Sequence, residues 1–162
     1  MPTTVTSVPL ATIEAGEGEL VQSREYLGRV RIARFAYTNG TGGTLAAGSK
    51  IRLVKLPANR VIVLGERSLL KHSALGASRV AKVGYEAYVD RSNAAIAEDD
   101  DALADALDLA AAGVKSVGNN IAGADTQLQL DSRDGVVLFA TITGGTIPNG
   151  ATVKGEIYFV TD

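Results

Sequence analysis

The chain has 162 residues, a formal net charge of −2, 18 glycines, one histidine, no tryptophan and no cysteine. The missing cysteines exclude disulfides, thiolate metal sites and thiol nucleophiles, and one histidine leaves any two-histidine metal site to a second subunit. Scattered basic residues in a near-neutral chain argue against general nucleic-acid binding, and no apolar run approaches the roughly 20 residues that cross a bilayer.

Residues 1–25, with Pro2, Pro9, Gly16 and Gly18 among Thr, Ser and Glu, show no sustained period and are expected to form an extended N-terminal arm. The remainder, 26–162, is expected to be a single domain. A chain of this length buries roughly 68–70% of its unfolded surface, so it holds a real core. From Tyr26 to Thr38 the pattern is a strand whose phase slips: Val30 and Ile32 lie on one face, Ala33, Phe35 and Tyr37 on the other, which predicts a β-bulge near Ile32 and Ala33. Lys50 to Leu56 is a strand ended by Pro57, and Arg60 to Lys71 is one kinked strand or two short ones around Gly65. Ser78 to Asp90 is a further strand region.

Ala102 to Gly113 departs from the β rhythm. Leu103, Leu107 and Ala110 stand at i, i+4 and i+7, the spacing of a helical stripe, with acidic residues before it and Gly113 after it, which predicts the one short helix of the chain. Short strands are predicted around Val114 to Val117 and Gln127 to Asp131. From Val136, apolar residues alternate through Ile142, with Val137 and Phe139 making the second face apolar, as in a strand covered on both sides. A Gly-rich loop holding Pro148-Asn-Gly150 joins it to a last strand through Val153, Ile157 and Phe159, and the two strands are expected to pair at the centre of the sandwich. The fold class expected is all-β: a jelly-roll-like antiparallel β-sandwich with one short helix and an extended N-terminal arm.

The candidate sites each have a structural reading beside the chemical one. His72 could in principle serve a Ser-His-Asp constellation, but it stands at the polar end of a strand and reads as an ordinary strand-end or surface residue. Glu98 to Asp101 clusters carboxylates without the ligand spacing of a calcium loop and reads as a helix cap. Asp131-Ser-Arg-Asp-Gly135 reads as a turn before a strand. Asn39-Gly-Thr41 matches a glycosylation sequon and reads as coincidence. Arg29, Arg31 and Arg34 form a small basic cluster on the first strong strand, suited to acidic groups within the fold or on a partner protein, and they are the candidate partner contacts. No catalytic, cofactor or metal residue is assigned.

Several phrases carry a family likeness by their order and spacing: Leu45 to Leu53, Leu56 to Val61, Ala74 to Ser78, Val83 to Asp90, Ala102 to Gly113, Ile142 to Gly155, and Tyr158 to Asp162. Together they resemble the capsid decoration, or cement, proteins of tailed bacteriophages, over most of the chain after Gly40. The resemblance implies a β-sandwich virion protein, frequently a homotrimer, that sits on the outer capsid surface and binds the major capsid protein without catalysis or cofactor. It further implies synthesis in the bacterial host cytoplasm and no nucleic-acid or membrane partner. The alternative is a carbohydrate- or receptor-binding module of a phage fibre or tail, using Tyr85 or Tyr88. A hydrolase built on His72 is the third reading.

Overall fold

The structure, a computed structural model, describes residues 29–40, 45–121 and 127–161. The predicted arm, 1–25, lies outside these, as does the start of the strand predicted from Tyr26. The described residues form β1 (Val30–Thr38), β2 (Lys50–Leu56), β3 (Asn59–Leu64), β4 (Leu69–His72), β5 (Val80–Tyr85), β6 (Tyr88–Val89) and β7 (Ala95–Ile96). They continue with β8 (Asp99–Asp108), β9 (Gly113–Ser116), β10 (Gln127–Ser132), β11 (Val136–Thr143) and β12 (Thr152–Thr161).

Every strand pairing among the described residues is antiparallel. The smaller sheet has the order β2-β11-β5-β8. In the larger one, β12 pairs along its whole length with β1, and on its other flank with β3 and then β4, which in turn pair with β10 and β9. The inward residues of both sheets form one core, with Val61, Val63, Leu70, Val153 and Ile157 from the larger sheet meeting Val83, Leu103, Leu138 and Ile142 from the smaller. The architecture is a jelly-roll-like β-sandwich, as the alternating pattern predicts.

β3 and β4 are two short strands around Gly65, the second of the two expected forms. A 3-10 turn at Gly65–Arg67 interrupts the ladder. The buried Ser68 hydroxyl repairs the gap: it donates to the Leu64 carbonyl at 2.8 Å and accepts from the Tyr158 N–H of β12 at 2.9 Å. Buried backbone donors must find such partners, and here a side chain supplies one. Farther along β12, the cross-strand neighbour of Gly155 is Phe35, whose ring lies where a Cβ would stand, and the Leu69 carbonyl is closer still. Only glycine admits that approach.

Three expectations are corrected. First, Ala102 to Gly113 is not a helix. Residues 102–108 belong to β8, which pairs with β5, and the helical spacing arises from irregularities in that pairing. Between Ala81 and Val83 on β5, the partner moves from Leu107 to Ala104, so β8 spends one residue more than β5. Ala106 takes a φ of 50° at this bulge. The bulge sets the buried Ala104 and Leu107 three positions apart instead of two, which breaks the strand period, and sheet pairing overrides the helix propensity of Ala and Leu.

Second, β1 has no bulge. Its register against β12 runs unbroken from Val30 opposite Val160 to Thr38 opposite Thr152. The slipped phase reflects two faces that are both apolar: Ala33, Phe35 and Tyr37 pack on the core, while Val30 and Ile32 point outward. Third, the last two strands, though central as expected, do not pair with each other. β11 lies between β2 and β5, β12 lies in the opposite sheet, and the connection crosses from one sheet to the other. Within that connection Gly150 has φ 75°, and the Ala151 N–H donates to the Pro148 carbonyl at 3.2 Å, closing the predicted turn.

Candidate interaction surface

The residues of β1, β12, β4 and β9 that point away from the core are fixed by register. One rung reads Arg34, Glu156, Leu69, Ser116, and the next Ala36, Lys154, Lys71, Val114. All of these but Ser116 border an open groove of ≈ 580 Å³. Its floor is apolar and its borders carry Arg34, Lys71 and Lys154 against a single carboxylate, Glu156. The exposed large hydrophobic residues among those described, Val30, Ile32, Leu69 and Val114, all lie on this one face, with Ile32 47% and Val114 54% exposed. Such a concentration is what an interaction surface looks like, since scattered single apolar residues are the ordinary case.

Of the predicted partner contacts, Arg34 belongs to this groove, where its guanidinium sits 3.6 Å from Glu156. That exposed pair contributes at most about 1 kcal/mol. Arg31 has the phase of the inward-facing residues but is exposed at the open end of β1, and Arg29 stands just before the strand. The three arginines therefore do not share one face. Glu156 also accepts from the Tyr158 hydroxyl at 2.9 Å, which raises the Tyr158 pKa above its ordinary value. The sequence analysis missed Leu69, Lys71, Val114 and Lys154, because their common face follows from pairings far apart in the chain.

The remaining candidates resolve into structural roles. Asp99, Asp100 and Asp101 begin β8 instead of capping a helix, and their carboxylate oxygens lie within 4.8 Å of one another. Lys82 on the neighbouring strand stands 3.3 Å from both Asp100 and Asp101, and these hydrogen bonds raise its pKa, Asp101 contributing most. Glu98 pairs with Lys50, whose ammonium also lies 4.7 Å from the centre of the buried Phe139 ring. His72 ends β4 as expected but is buried, at 3% exposure; its Nδ1 bonds to the Ser73 carbonyl at 3.0 Å and its Nε2 has no hydrogen-bond partner among the described residues.

Asn39 is likewise buried, and its amide donates to the Ile147 and Pro148 carbonyls at 3.1 and 3.0 Å, so the sequon nitrogen is occupied in holding the crossover loop. Asp131 is gripped by the Arg91 guanidinium, and Gly135, at φ 91°, donates its N–H to the Ser132 hydroxyl in the expected turn. Tyr85 and Tyr88 form an edge-on pair 5.6 Å apart, half-buried against the core, and burial raises both pKa values. They do not present the open aromatic platform that the carbohydrate-binding alternative requires.

Over its whole length the chain superposes on the whole of a chain in the capsid asymmetric unit of cyanophage Pam1, with a TM-score of 0.57 and 13% identity. The likeness is one of fold. A chain of the infectious bursal disease virus VP2 subviral particle matches 84% of this chain with 33% of its own length, at 10% identity and a TM-score of 0.47. A chain of the Gt strain of the same virus matches 84% with 32% of its length, at 10% identity and 0.45. No protein-family model and no curated protein matches the sequence.

Proposed function

We propose that this chain is a structural virion protein that decorates the outer surface of a tailed-phage capsid and stabilises it by binding across major capsid protein subunits. The observation that carries the reading is the fold shared end to end with a chain of the Pam1 capsid asymmetric unit. The ordered phrases that resemble decoration proteins support it, and so does the outward face of the larger sheet.

A cement protein works by many modest contacts acting together, because subunits under outward pressure are held by summed interactions and not by one tight pocket. The face supplies suitable elements, with Val30 and Ile32 as apolar anchors and Arg34 as a charged border. Assembly as a homotrimer would repeat this face around one axis and multiply its hold on the shell. A stable contact of this kind buries about 1,200–2,000 Å² in total. The arm, residues 1–25, would extend the reach of each copy.

The test is the location of the chain in purified particles. Mass spectrometry of gradient-purified virions should find it at a fixed stoichiometry to the major capsid protein, and a particle map should place it outside the shell. Its presence in the lysate with absence from intact virions would overturn the proposal.

A further inference from the structure

We propose that, in the free protein, residues 10–21 of the same chain dock into the groove on the outer face of the larger sheet, with their glutamates set against Lys71 and Lys154. Lys71 and Lys154 are directly opposite each other on β4 and β12. Like charges so placed repel. Among the described residues no carboxylate lies within ion-pair distance of either ammonium, whereas Arg34, Lys50, Arg52 and Lys82 all have one. The groove thus joins exposed apolar side chains to two positive charges that no described carboxylate pairs with, and its fitting occupant is an extended segment that is both apolar and acidic.

The sequence holds such a segment. Leu10-Ala-Thr-Ile-Glu-Ala-Gly-Glu-Gly-Glu-Leu-Val21 carries Glu14, Glu17 and Glu19, no basic residue, and four large aliphatic side chains in Leu10, Ile13, Leu20 and Val21. Glu17 and Glu19, two positions apart, share one face of an extended chain. The tether is long enough. The rung of Ala36 and Val114 lies about 20 Å along β1 from Val30 and about 14 Å across three strands, or about 25 Å in all. The nine residues from Val21 to Val30 span about 30 Å when extended. A tether this short gives an effective concentration in the millimolar range, which favours the chain's own segment over that of a second copy at micromolar protein.

This inference does not depend on the virion reading, because its test uses the free protein alone. The chain has no cysteine, so a single one introduced as Ala36→Cys, at the border of the groove, can carry a benzophenone, with Val114→Cys as a second placement should the first fail to fold. After irradiation of a mixture of unlabelled and 15N-labelled protein, peptide mapping should find residues 10–21 joined to the benzophenone within chains of one isotope. The triple variant Glu14→Lys, Glu17→Lys, Glu19→Lys should lower that yield at least fivefold with an unchanged unfolding midpoint. A benzophenone on Asp108→Cys, on the smaller sheet, should give no such product. Cross-links only between chains, no cross-link to residues 10–21, or a yield indifferent to the triple variant would each overturn the proposal.

Discussion

Ala106 is exposed on β8 with a φ of 50°, the left-handed region that costs a residue with a Cβ about 1–2 kcal/mol. It holds that conformation because the residues on either side are fixed, Leu107 against Ala81 and Ala104 against Val83. Replacing it by glycine removes the strain but adds freedom to the unfolded chain, so Ala106→Gly should stabilise the fold by up to about 1 kcal/mol. Urea unfolding would measure this, and a lowered midpoint would show that Ala106 is not strained. The same residue explains why β8 was not legible. A stripe of leucines at helical spacing carries no mark of a bulge, and the strand's partner lies some twenty residues away. β1 was more legible: both apolar phases were visible, and only their cause was misread, since a second apolar face does not require a bulge when something outside the core is to be met.

At the scale of elements, the small β6-β7 hairpin is held to the body of the sandwich by Tyr88 packed against the core and by polar contacts. Asp90 accepts from the Ala94 N–H at 2.8 Å and from the Ser92 hydroxyl at 2.7 Å, closing the turn, while Arg91 reaches across to Asp131 on β10. The hydrogen bond from Ser92, then that from Ala94, lowers the Asp90 pKa below its ordinary 3.8, and the Arg91 bond does the same for Asp131. A carboxyl depressed in the folded state contributes its full stabilisation above the unfolded value and loses it as the pH falls from there through the folded one. The hairpin should therefore be firm at neutral pH and loosen below about pH 4. Amide exchange, corrected for its intrinsic pH dependence, should show Ala94 losing protection in acid before Val83 of the central strand β5; equal loss would mean that the carboxylates do not hold the hairpin. Arg91 and Asp131 are joined by tertiary geometry that no local pattern announces.

For the molecule as a whole, the distribution of apolar surface matters more than its amount. The two sheets share one core, yet their outward faces differ: Lys50 of β2 covers Phe139 of β11, while β1, β4 and β9 leave Val30, Ile32, Leu69 and Val114 in the open. If the outward face of the larger sheet meets the shell, Val30→Asp with Ile32→Asp should reduce co-sedimentation with capsids at least tenfold. The two residues lie outside the core, so the cost in stability should stay near about 1 kcal/mol, the span of strand propensity. Undiminished co-sedimentation would move the contact elsewhere on the protein. The sandwich class was legible because alternation is local, whereas the sheet order was not, because it depends on which distant strands find each other.

The position of β12 in that order has a consequence for how the protein is made. It follows all its partners in the chain and is the strand that joins β1, β3 and β4 into one sheet. A nascent chain that has emerged from the ribosome only as far as β11 already contains every strand of the smaller sheet. The larger one is then still in pieces: β3 can find β10, β4 can find β9, and β1 has no strand to lie against. Closure waits for β12, and until it arrives the apolar inner faces of both halves stand open, the kind of exposure that draws chaperones.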